Sequence, residues 1–313
     1  MSCFRCCCVF LLFACSLHGA QLDPAKVASA ALAMPAPLPP YKLAVCTMFY
    51  NEGRYLLEWV LYHYLIGFQH FYLYDNDSTD GSTSVLQPLV ARGLVTLIPW
   101  PGQAPQGRQI DHCFNTSAPR QTSWLASFDV DEFVVVLTQK VSHLPFLQHQ
   151  RPFMLHAFLD RFKNWRKGAV IIDRMNFGCS GHRAPPAGLT MEAYTERDVP
   201  LLPAPVVGKV VVLFEALRHM RSAHDASLLP DWDKVTVDLD VYNEATTRGN
   251  RFEPVRINHY LSRSYDECVA KLTLNKWPDA MDWRKKNGQR LCDRRMEGTA
   301  EVWIRKRSAS FAC

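Results

Sequence analysis

The sequence lacks several features that would place it in a class at once. Downstream of residue 20 it has no C-x-x-C pair, so a zinc site is not indicated. It has no nucleic-acid-binding motif and a formal net charge of only +5, so we expect no nucleic-acid partner. It shows no internal repeat. What remains, 48% hydrophobic and 21% charged residues over 313 positions, is typical of a globular protein with a sizeable core.

The N-terminus lacks an apolar run of full membrane-spanning length. Residues 1–20 hold one Arg and then twelve apolar or small residues, Cys6 to Leu17, whereas a comfortable span needs about 20. This length fits the core of a signal peptide, but no clean small-x-small cleavage site follows, so a short signal anchor is the other possibility. Residues 21–40 end in MPAPLPP and are predicted to be a Pro-rich linker. We therefore expect entry into the secretory pathway.

Cysteines and basic residues give weaker indications. Six cysteines lie beyond the leader and could pair in an oxidising lumen, although the sequence does not show which ones. The sequons NDS at Asn76 and NTS at Asn115 are possible glycosylation sites. The tail, residues 281–313, is basic: within 282–308 there are nine Lys or Arg against four Asp or Glu. Such a run can attract anions or be a solvated face.

Residues 41–137 alternate between short apolar runs and amphipathic stretches. The runs KLAVCTMFY, HFYLY, LVTLI and SWLASFD, the last ending at residue 129, predict four strands. Between them, residues 54–67, 82–93 and about 106–115 predict helices, with Gly67 and Gly93 ending the first two. Strands that alternate with helices predict an α/β fold with a mostly parallel sheet and a Rossmann-like nucleotide-binding half.

Polar side chains follow the first two of these strands. They are Asn51, Glu52, Asp75, Asn76 and, in the loop beyond, Asp80. In open parallel sheets the ligand binds beyond the carboxyl ends of the strands. Because such side chains can accept hydrogen bonds from ribose and base, we predict that these residues bind a nucleotide.

Three carboxylates crowd the end of the fourth strand, in SWLASFDVDEFVVV, residues 123–136. Buried charges are normally paired or bound to metal. If the segment is extended, Asp129 and Asp131 share a face and start about 6.6 Å apart, while Glu132 points away. Mg²⁺ and Mn²⁺ favour carboxylate ligands completed by substrate phosphates. We predict that Asp129 and Asp131 bind such a metal opposite a diphosphate; a surface turn or helix cap is the alternative.

Three stretches together resemble glycosyltransferase family 92 and the related family 2-like group. They are FYNEGRYLLEWVLYHYLIGFQHFYLYDNDSTDGS, SWLASFDVDEF and INHYLSRSYDECVAK. The resemblance implies a GT-A fold in one domain over residues 41–313, with a nucleotide-sugar half at 41–137 and a mixed acceptor half at 138–280. It also implies a UDP-linked hexose donor, with galactose as one candidate, a glycan or glycoprotein acceptor, and Mn²⁺ or Mg²⁺ held by the acids of the DxD motif.

The same resemblance extends to VVGKVVVLFEALRHMRSAHDA and places Lys209 and His224 near the site. A late histidine often joins the metal in such enzymes, and His224 and His259 are the two candidates; either could instead be structural. An inverting transfer needs a carboxylate base, for which Asp225 is our choice, with Glu132, Asp198 and Glu215 as alternatives.

Two other classes of protein fit parts of this pattern. An aspartyl-nucleophile phosphotransferase also carries Asp-x-Asp after a strand, but usually after the first strand. A non-catalytic sugar- or Ca²⁺-binding protein would leave the polar ends of the first two strands unexplained. We therefore expect a metal-dependent glycosyltransferase facing the lumen of the secretory pathway, most simply the Golgi, with a possible membrane tether.

Overall fold

The computed structural model describes residues 38–102, 106–118, 121–137, 154–198, 208–243, 247, 252–273, 292 and 303–305. The leader, most of the linker and nearly all of the basic tail lie outside these ranges, so the predictions made for them, and the single-domain prediction, stay predictions. In the described ranges, no helix has both the length and the apolar character needed to cross a membrane.

The chain divides into two compact units. The first, here called the sheet unit, comprises Pro37–Met175 and Leu201–Asn258. The second, the C-terminal unit, comprises Asn176–Pro200 and His259–Cys313 together with Met1–Ala36.

Strands and helices alternate through the first part of the chain, as predicted. The strands are β1 (Tyr41–Phe49), β2 (His70–Asp75), β3 (Val95–Pro99), β4 (Thr122–Ser127), β5 (Glu132–Val136), β6 (Lys167–Ile172), β7 (Arg174–Asn176), β8 (Glu196–Asp198), β9 (Lys209–Leu213), β10 (Leu217–Ser222), β11 (Asp225–Leu228), β12 (Asp233–Thr236), β13 (Val255–His259) and β14 (Trp303–Arg305). The helices are α1 (Leu56–Leu65), α2 (Ser82–Ala91), α3 (Gln106–His112), α4 (Met154–Asn164), α5 (Thr190–Ala193) and α6 (Tyr265–Thr273). A π-helix, Cys113–Ser117, continues α3, and a 3₁₀ turn, Phe214–Ala216, follows β9.

A seven-stranded sheet forms the centre of the sheet unit, in the order β12-β6-β9-β4-β1-β2-β3. Strands β1 to β4 are mutually parallel where they pair, β6 and β12 are parallel, and only β9 runs antiparallel to its neighbours. The prediction of an α/β fold with a mostly parallel sheet is confirmed. In the described residues, three smaller sheets form separately: β10 with β11, β8 with β14, and β5-β13-β7.

Helix α1 forms where the sequence predicted it because its apolar residues recur at helical spacing. Leu56, Trp59 and Val60 are fully buried. The segment that follows turns at Gly67, whose φ of 118° lies in a region that glycine enters without steric cost. Helix α2 contains Pro88 in its interior and still runs from Ser82 to Ala91.

Two disulfides join distant parts of the chain, and the sequence had not shown these pairings. Cys46 in the middle of β1 bonds to Cys113 at the start of the π-helix. Around it, one face of the sheet packs Ala44, Tyr72 and Ile110 into a buried cluster. In the C-terminal unit Cys268 bonds to Cys292. The first bridge fixes α3 and its π-helical extension against β1.

Candidate functional site

The four parallel strands bring their carboxyl ends to one edge of the sheet. Phe49 at the end of β1 lies beside Asp75 at the end of β2, and Asp75 lies beside Pro99 at the end of β3. Strand β4 pairs with β1 as far as Ser127 opposite Cys46. The predicted polar residues after β1 and β2 therefore lie on the edge where the acids after β4 also lie.

The acids after β4 sit in a turn and not in an extended segment. Glu132 donates its backbone N–H to the carbonyl of Asp129 over 3.0 Å, which closes a four-residue turn. Strand β4 ends at Ser127, and β5 begins at Glu132 in a different sheet. The prediction that Asp129 and Asp131 share one face of an extended strand is therefore wrong. Within this acidic turn, defined as residues 129–132, Asp131 is 8% exposed.

Lys209 supplies the counterion for this turn. Its Nζ lies 2.7 Å from Oδ2 of Asp129 and 3.2 Å from Oε2 of Glu132. Lys209 is only 1% exposed, while the Asp129 side chain is 36% exposed. Burial alone would lower the pKa of Lys209, but the charges of Asp129 and Glu132 outweigh it and raise that pKa. The ammonium therefore stays charged between the two carboxylates.

Glu132 faces the acidic turn, contrary to the prediction that it points away. Its Oε2 accepts the backbone N–H of Asp129 over 3.0 Å, and its Oε1 lies 3.3 Å from an Arg174 nitrogen. The side chain is fully buried. The alternation of faces along a strand does not apply, because Glu132 follows a reversal of the backbone at Val130.

Helix α1 holds the strand that begins with Glu132. The Trp59 indole N–H donates to the carbonyl of Glu132 over 2.8 Å, and the Tyr62 hydroxyl donates to the carbonyl of Val134 over 2.8 Å. His63 accepts the Val134 N–H at Nε2 over 3.2 Å and donates from Nδ1 to the Trp59 carbonyl. Burial lowers the pKa of His63 to about 3, so the ring is neutral and this tautomer is fixed.

Gln106, the first residue of α3, completes the contacts of Asp129. Its Nε2 donates to Oδ1 of Asp129 over 2.8 Å, while Lys209 contacts Oδ2. Both carboxylate oxygens of Asp129 are thus engaged by the protein. Sequence reasoning missed Gln106 and Arg174: the start of a predicted helix was the one signal for Gln106, and nothing local marked Arg174.

His224 lies close to Lys209. It occupies the turn of the β10–β11 hairpin, and its Nδ1–H donates to the carbonyl of Gly208, the residue before Lys209, over 2.6 Å. Burial lowers the pKa of His224, and the nearby positive charges of Lys209 and Arg174 lower it further. The neutral ring therefore presents Nε2 as the atom that can accept a proton or ligate a metal.

The loops after β1 and β2 are fastened to each other. Asn51, at a left-handed φ of 53°, accepts the Thr79 N–H at Oδ1 over 2.7 Å. Oδ2 of Asp80 accepts the N–H of Gly53 over 2.9 Å, and its Oδ1 accepts the N–H of Ser82 over 3.0 Å. Burial acts to raise the pKa of Asp80, but a hydrogen bond from the Ser82 hydroxyl, together with those from the two backbone N–H groups, outweighs it and lowers that pKa. Asp80 therefore links the two loops through hydrogen bonds.

Other nucleotide candidates also have structural contacts. The Glu52 N–H donates to the Ser82 hydroxyl over 3.0 Å, and Asp75 accepts the Ser78 N–H at Oδ1 over 3.0 Å. Asn76 is 0% exposed and donates from Nδ2 to the carbonyls of Trp100 and Gly102 over 2.7 and 2.8 Å. Both amide hydrogens of Asn76 thus fasten the end of β3. A nucleotide-binding role for these residues stays a prediction.

The remaining predicted residues lie elsewhere. Asp225 begins β11, and its carboxylate contacts the ammonium of Lys234 on one oxygen and Arg221, 3.3 Å away, on the other. The alternative base Glu215 pairs with Lys163 over 2.9 Å at an exposed position. His259 belongs to the C-terminal unit, where its Nδ1 lies 2.9 Å from the amide oxygen of Asn176. The structure does not bring Asp225 or Glu215 into contact with the acidic turn.

A divalent cation would find few protein ligands at this turn. In the part of the chain that the structure describes, no group of three or more His, Cys, Asp or Glu side chains is arranged to hold a metal ion. A Mg²⁺- or Mn²⁺-type site needs fewer, because such ions are commonly bound by one or two protein side chains and completed by substrate phosphates and water.

Comparison with known proteins gives the chain its family. A family 92 protein of Arabidopsis thaliana, At1g27200, is 27% identical over 257 residues, covering 81% of this chain and 41% of the relative. The Ricinus communis family 92 protein RCOM_0530710 is 29% identical over 262 residues, again covering 81% and 41%. The chain thus spans about two fifths of the length of these relatives.

Solved structures are more distant. S. aureus TarS in complex with UDP is 13% identical, with a TM-score of 0.37 over 56% of this chain and 48% of that one. The mannosyltransferase PcManGT from Pyrobaculum calidifontis, in complex with GDP-Man and Mn²⁺, is 18% identical, with a TM-score of 0.30 over 54% and 47%. These similarities are too remote to transfer a ligand. The profile named Glycosyltransferase family 92 matches residues 40–290, most of the chain, and the chain therefore belongs to glycosyltransferase family 92.

Proposed function

We propose that the chain transfers a hexose from a UDP-linked donor to a glycan or glycoprotein, with a divalent metal at the acidic turn. The observation that carries the proposal is the acidic turn itself, built at the carboxyl edge of a parallel sheet around the buried Lys209. This edge is where open α/β sheets bind their ligands. Membership of a transferase family favours this function over a phosphotransferase or a non-catalytic binding protein.

The balance of charge at the turn supports a role for a cation. The acidic turn carries three carboxylates, and Lys209 and Arg174 pair with two of them, those of Asp129 and Glu132. A diphosphate approaching carboxylates without a cation would be repelled. A divalent ion reverses the sign of the local charge and so makes binding of a nucleoside diphosphate favourable.

In this proposal Asp131 and His224 would hold a Mn²⁺ or Mg²⁺ ion. Asp129 is already engaged on both oxygens by Gln106 and Lys209, which suits it to support the turn. Asp131 supplies a carboxylate, and His224 a neutral ring with Nε2 as the ligating atom. When bound, the ion would neutralise the diphosphate and stabilise its departure. His259 stays the alternative histidine.

Donor recognition would fall to the loops after β1 and β2. Asn51 and Asp80 hold these loops together, so they would shape the pocket for base and ribose. Asp75 and Glu52 would add acceptors for ribose or base hydrogens. Lys209 would act on the donor through the acids it neutralises, since its ammonium is committed to two carboxylates. Asp225 stays our candidate for the base that takes the acceptor proton, with Lys234 orienting it.

A lumenal location would follow from the leader and is supported by the disulfides. Bridges such as Cys46–Cys113 persist in oxidising compartments and are rare in the cytosol. We propose that the chain works in the Golgi lumen, tethered by residues 1–20. A tagged full-length protein should pellet with membranes and be protected from protease in sealed vesicles. Recovery in the cytosolic supernatant would refute this.

The decisive test is donor turnover by the full-length protein. UDP-galactose, UDP-glucose, UDP-N-acetylglucosamine and GDP-mannose are each supplied with and without Mn²⁺, and release of the nucleoside diphosphate is measured. We expect turnover of a UDP-hexose that EDTA abolishes and Mn²⁺ restores. Absence of both UDP binding and turnover with every donor would refute the proposal, while equal turnover in EDTA would refute the metal alone.

Two variants test the acids separately. Asp131→Asn should abolish Mn²⁺-dependent turnover, because it removes the proposed ligand. Asp129→Asn should lower turnover without abolishing it, because Asp129 supports the turn through Lys209 and Gln106 and is not the proposed ligand. Circular dichroism checks that both variants fold. Full activity of Asp131→Asn would exclude it as a ligand.

A further inference from the structure

We propose that Glu132 is a positioning residue for the transfer site: its buried carboxylate shapes the acidic turn and holds Lys209 against Asp129. The expected effect of Glu132 on turnover rests on the proposed function, whereas the contacts that Glu132 makes do not depend on it. Glu132 is fully buried, so it acts on the reaction through its neighbours and not by touching a substrate.

The carboxylate of Glu132 closes the acidic turn a second time. The backbone already joins the Glu132 N–H to the Asp129 carbonyl over 3.0 Å. The side chain returns to accept the N–H of Asp129 at Oε2 over 3.0 Å. Two hydrogen bonds therefore run in opposite directions between the first and last residues of the turn, and they fix the conformation of Val130 and Asp131 between them.

The same oxygen also sets the position of the ammonium group. Lys209 Nζ lies 3.2 Å from Oε2 of Glu132 and 2.7 Å from Asp129. With Glu132 present, the ammonium is held from two sides at a fixed distance from Asp129. Without the charge of Glu132, Lys209 would retain Asp129 as its carboxylate partner, and the Asp129 side chain is more than a third exposed to solvent. The direction in which Asp129 and Asp131 present their oxygens would then vary.

Glu132 is itself held in place from outside the turn. Its Oε1 lies 3.3 Å from Arg174, and its carbonyl accepts the indole N–H of Trp59 over 2.8 Å. These contacts connect the turn to β7 and to helix α1. The turn is thereby set by rigid elements, the condition under which catalytic groups keep a productive geometry.

This arrangement makes a specific kinetic prediction. Misplacement of a reacting group by about 1 Å can cost on the order of a hundredfold in rate. Glu132→Gln keeps the side-chain volume but leaves one oxygen that can accept hydrogen bonds in place of two. Either the Asp129 N–H or Arg174 therefore loses its acceptor. We expect kcat to fall on the order of a hundredfold, with a much smaller change in donor KM. We also expect the Mn²⁺ concentration for half-activation to rise on the order of tenfold.

The matched control is Arg174→Gln, which removes the other partner of Glu132 and leaves both contacts to the turn in place. If Glu132 were only part of a buried ion pair, the two variants would lower the melting temperature and share the same kinetics. If Glu132 positions the turn, Arg174→Gln shifts the Mn²⁺ midpoint less than Glu132→Gln does. Glu132→Asp, which keeps the charge but shortens the reach, is made as well in case Glu132→Gln does not fold.

A readout without substrate completes the test. Amide hydrogen exchange of the peptide covering residues 127–134 reports the Asp129 N–H directly. Faster exchange there in Glu132→Gln and Glu132→Asp, but not in Arg174→Gln, supports the inference even if every donor tested is the wrong one. Unchanged exchange, or a loss of melting temperature with wild-type kcat and Mn²⁺ midpoint, overturns it. Lack of turnover by the wild type would count against the proposed function only.

Discussion

Replacing Lys209 by methionine should destabilise the protein far more than loss of an ordinary surface lysine. The substitution keeps most of the stem and removes the charge. It leaves Glu132, which is fully buried, with Arg174 and the Asp129 N–H but without its ammonium partner. Breaking a buried ion pair by removing one partner costs about 3–5 kcal/mol. Asp129 is 36% exposed, so water will solvate that oxygen and the lower end of the range applies.

The expected loss is therefore about 3 kcal/mol, which is a large part of a typical domain stability of about 5–15 kcal/mol. In a chain of this size it should lower the melting temperature by about 5–10 °C. The assay is thermal and urea unfolding of the full-length protein, followed by circular dichroism. Lys167→Met is the matched control, because Lys167 pairs over 2.6 Å with an Asp233 side chain that is 53% exposed, and such pairs contribute at most about 1 kcal/mol.

A double variant separates charge from packing. Lys209→Met combined with Glu132→Gln removes both members of the buried pair, and such paired replacements are often close to neutral. We expect the double variant to be more stable than Lys209→Met alone. The reasoning is refuted if Lys209→Met is no less stable than Lys167→Met, or if the two changes simply add.

Three further predictions follow from contacts described above. Burial lowers the pKa of His63 to about 3 and of His70 to about 4. As the pH falls, both histidines therefore bind protons in the unfolded chain before they do so in the folded protein. The free energy of unfolding should fall by about 2–3 kcal/mol between pH 7.5 and 5.5. Urea melts at the two pH values measure this, and His63→Gln should remove about half of the dependence. Gly208→Ala should destabilise the protein strongly in the same melts, since a Cβ would lie 2.5 Å from a backbone oxygen of Ile172; wild-type stability would contradict the packing. Asn115 is exposed and Asn76 is 0% exposed, so only the Asn115 sequon should carry a glycan. Endoglycosidase treatment should shift the gel mobility of the protein recovered with membranes, and Asn115→Gln should abolish the shift.

The order of strands and helices could be predicted because local pattern determines it. The buried run of β1, the helical spacing of Trp59 and Val60, and the turn at Gly67 all agree with the final structure. The meeting of polar residues at one edge also followed, since parallel strands place their carboxyl ends together. These features depend on neighbours in sequence and on one rule of topology.

The interior of the candidate site could not be predicted, because it depends on partners far away in sequence. The apolar pattern of residues 123–136 fits either one long strand or two shorter strands in different sheets. Only the hydrogen bond between the backbones of Asp129 and Glu132 shows that the chain turns at Val130. The partners of that turn, Lys209 and Arg174, lie 80 and 45 residues beyond Asp129 in the sequence. Asn76 looked like a ligand because an amide serves equally well to bind a nucleotide or to hold a neighbouring loop.

The contacts between helix α1 and β5 have a consequence for association of the chain with itself. Strand β5 lies at the edge of its small sheet, and an exposed strand edge is a template for pairing with another chain. Here Trp59, Tyr62 and His63 occupy the outward carbonyls of Glu132 and Val134 and the outward N–H of Val134. The helix thus uses side chains where a further strand would use its backbone. The edge beside the acidic turn is therefore closed to strand addition, which protects this segment from aggregation.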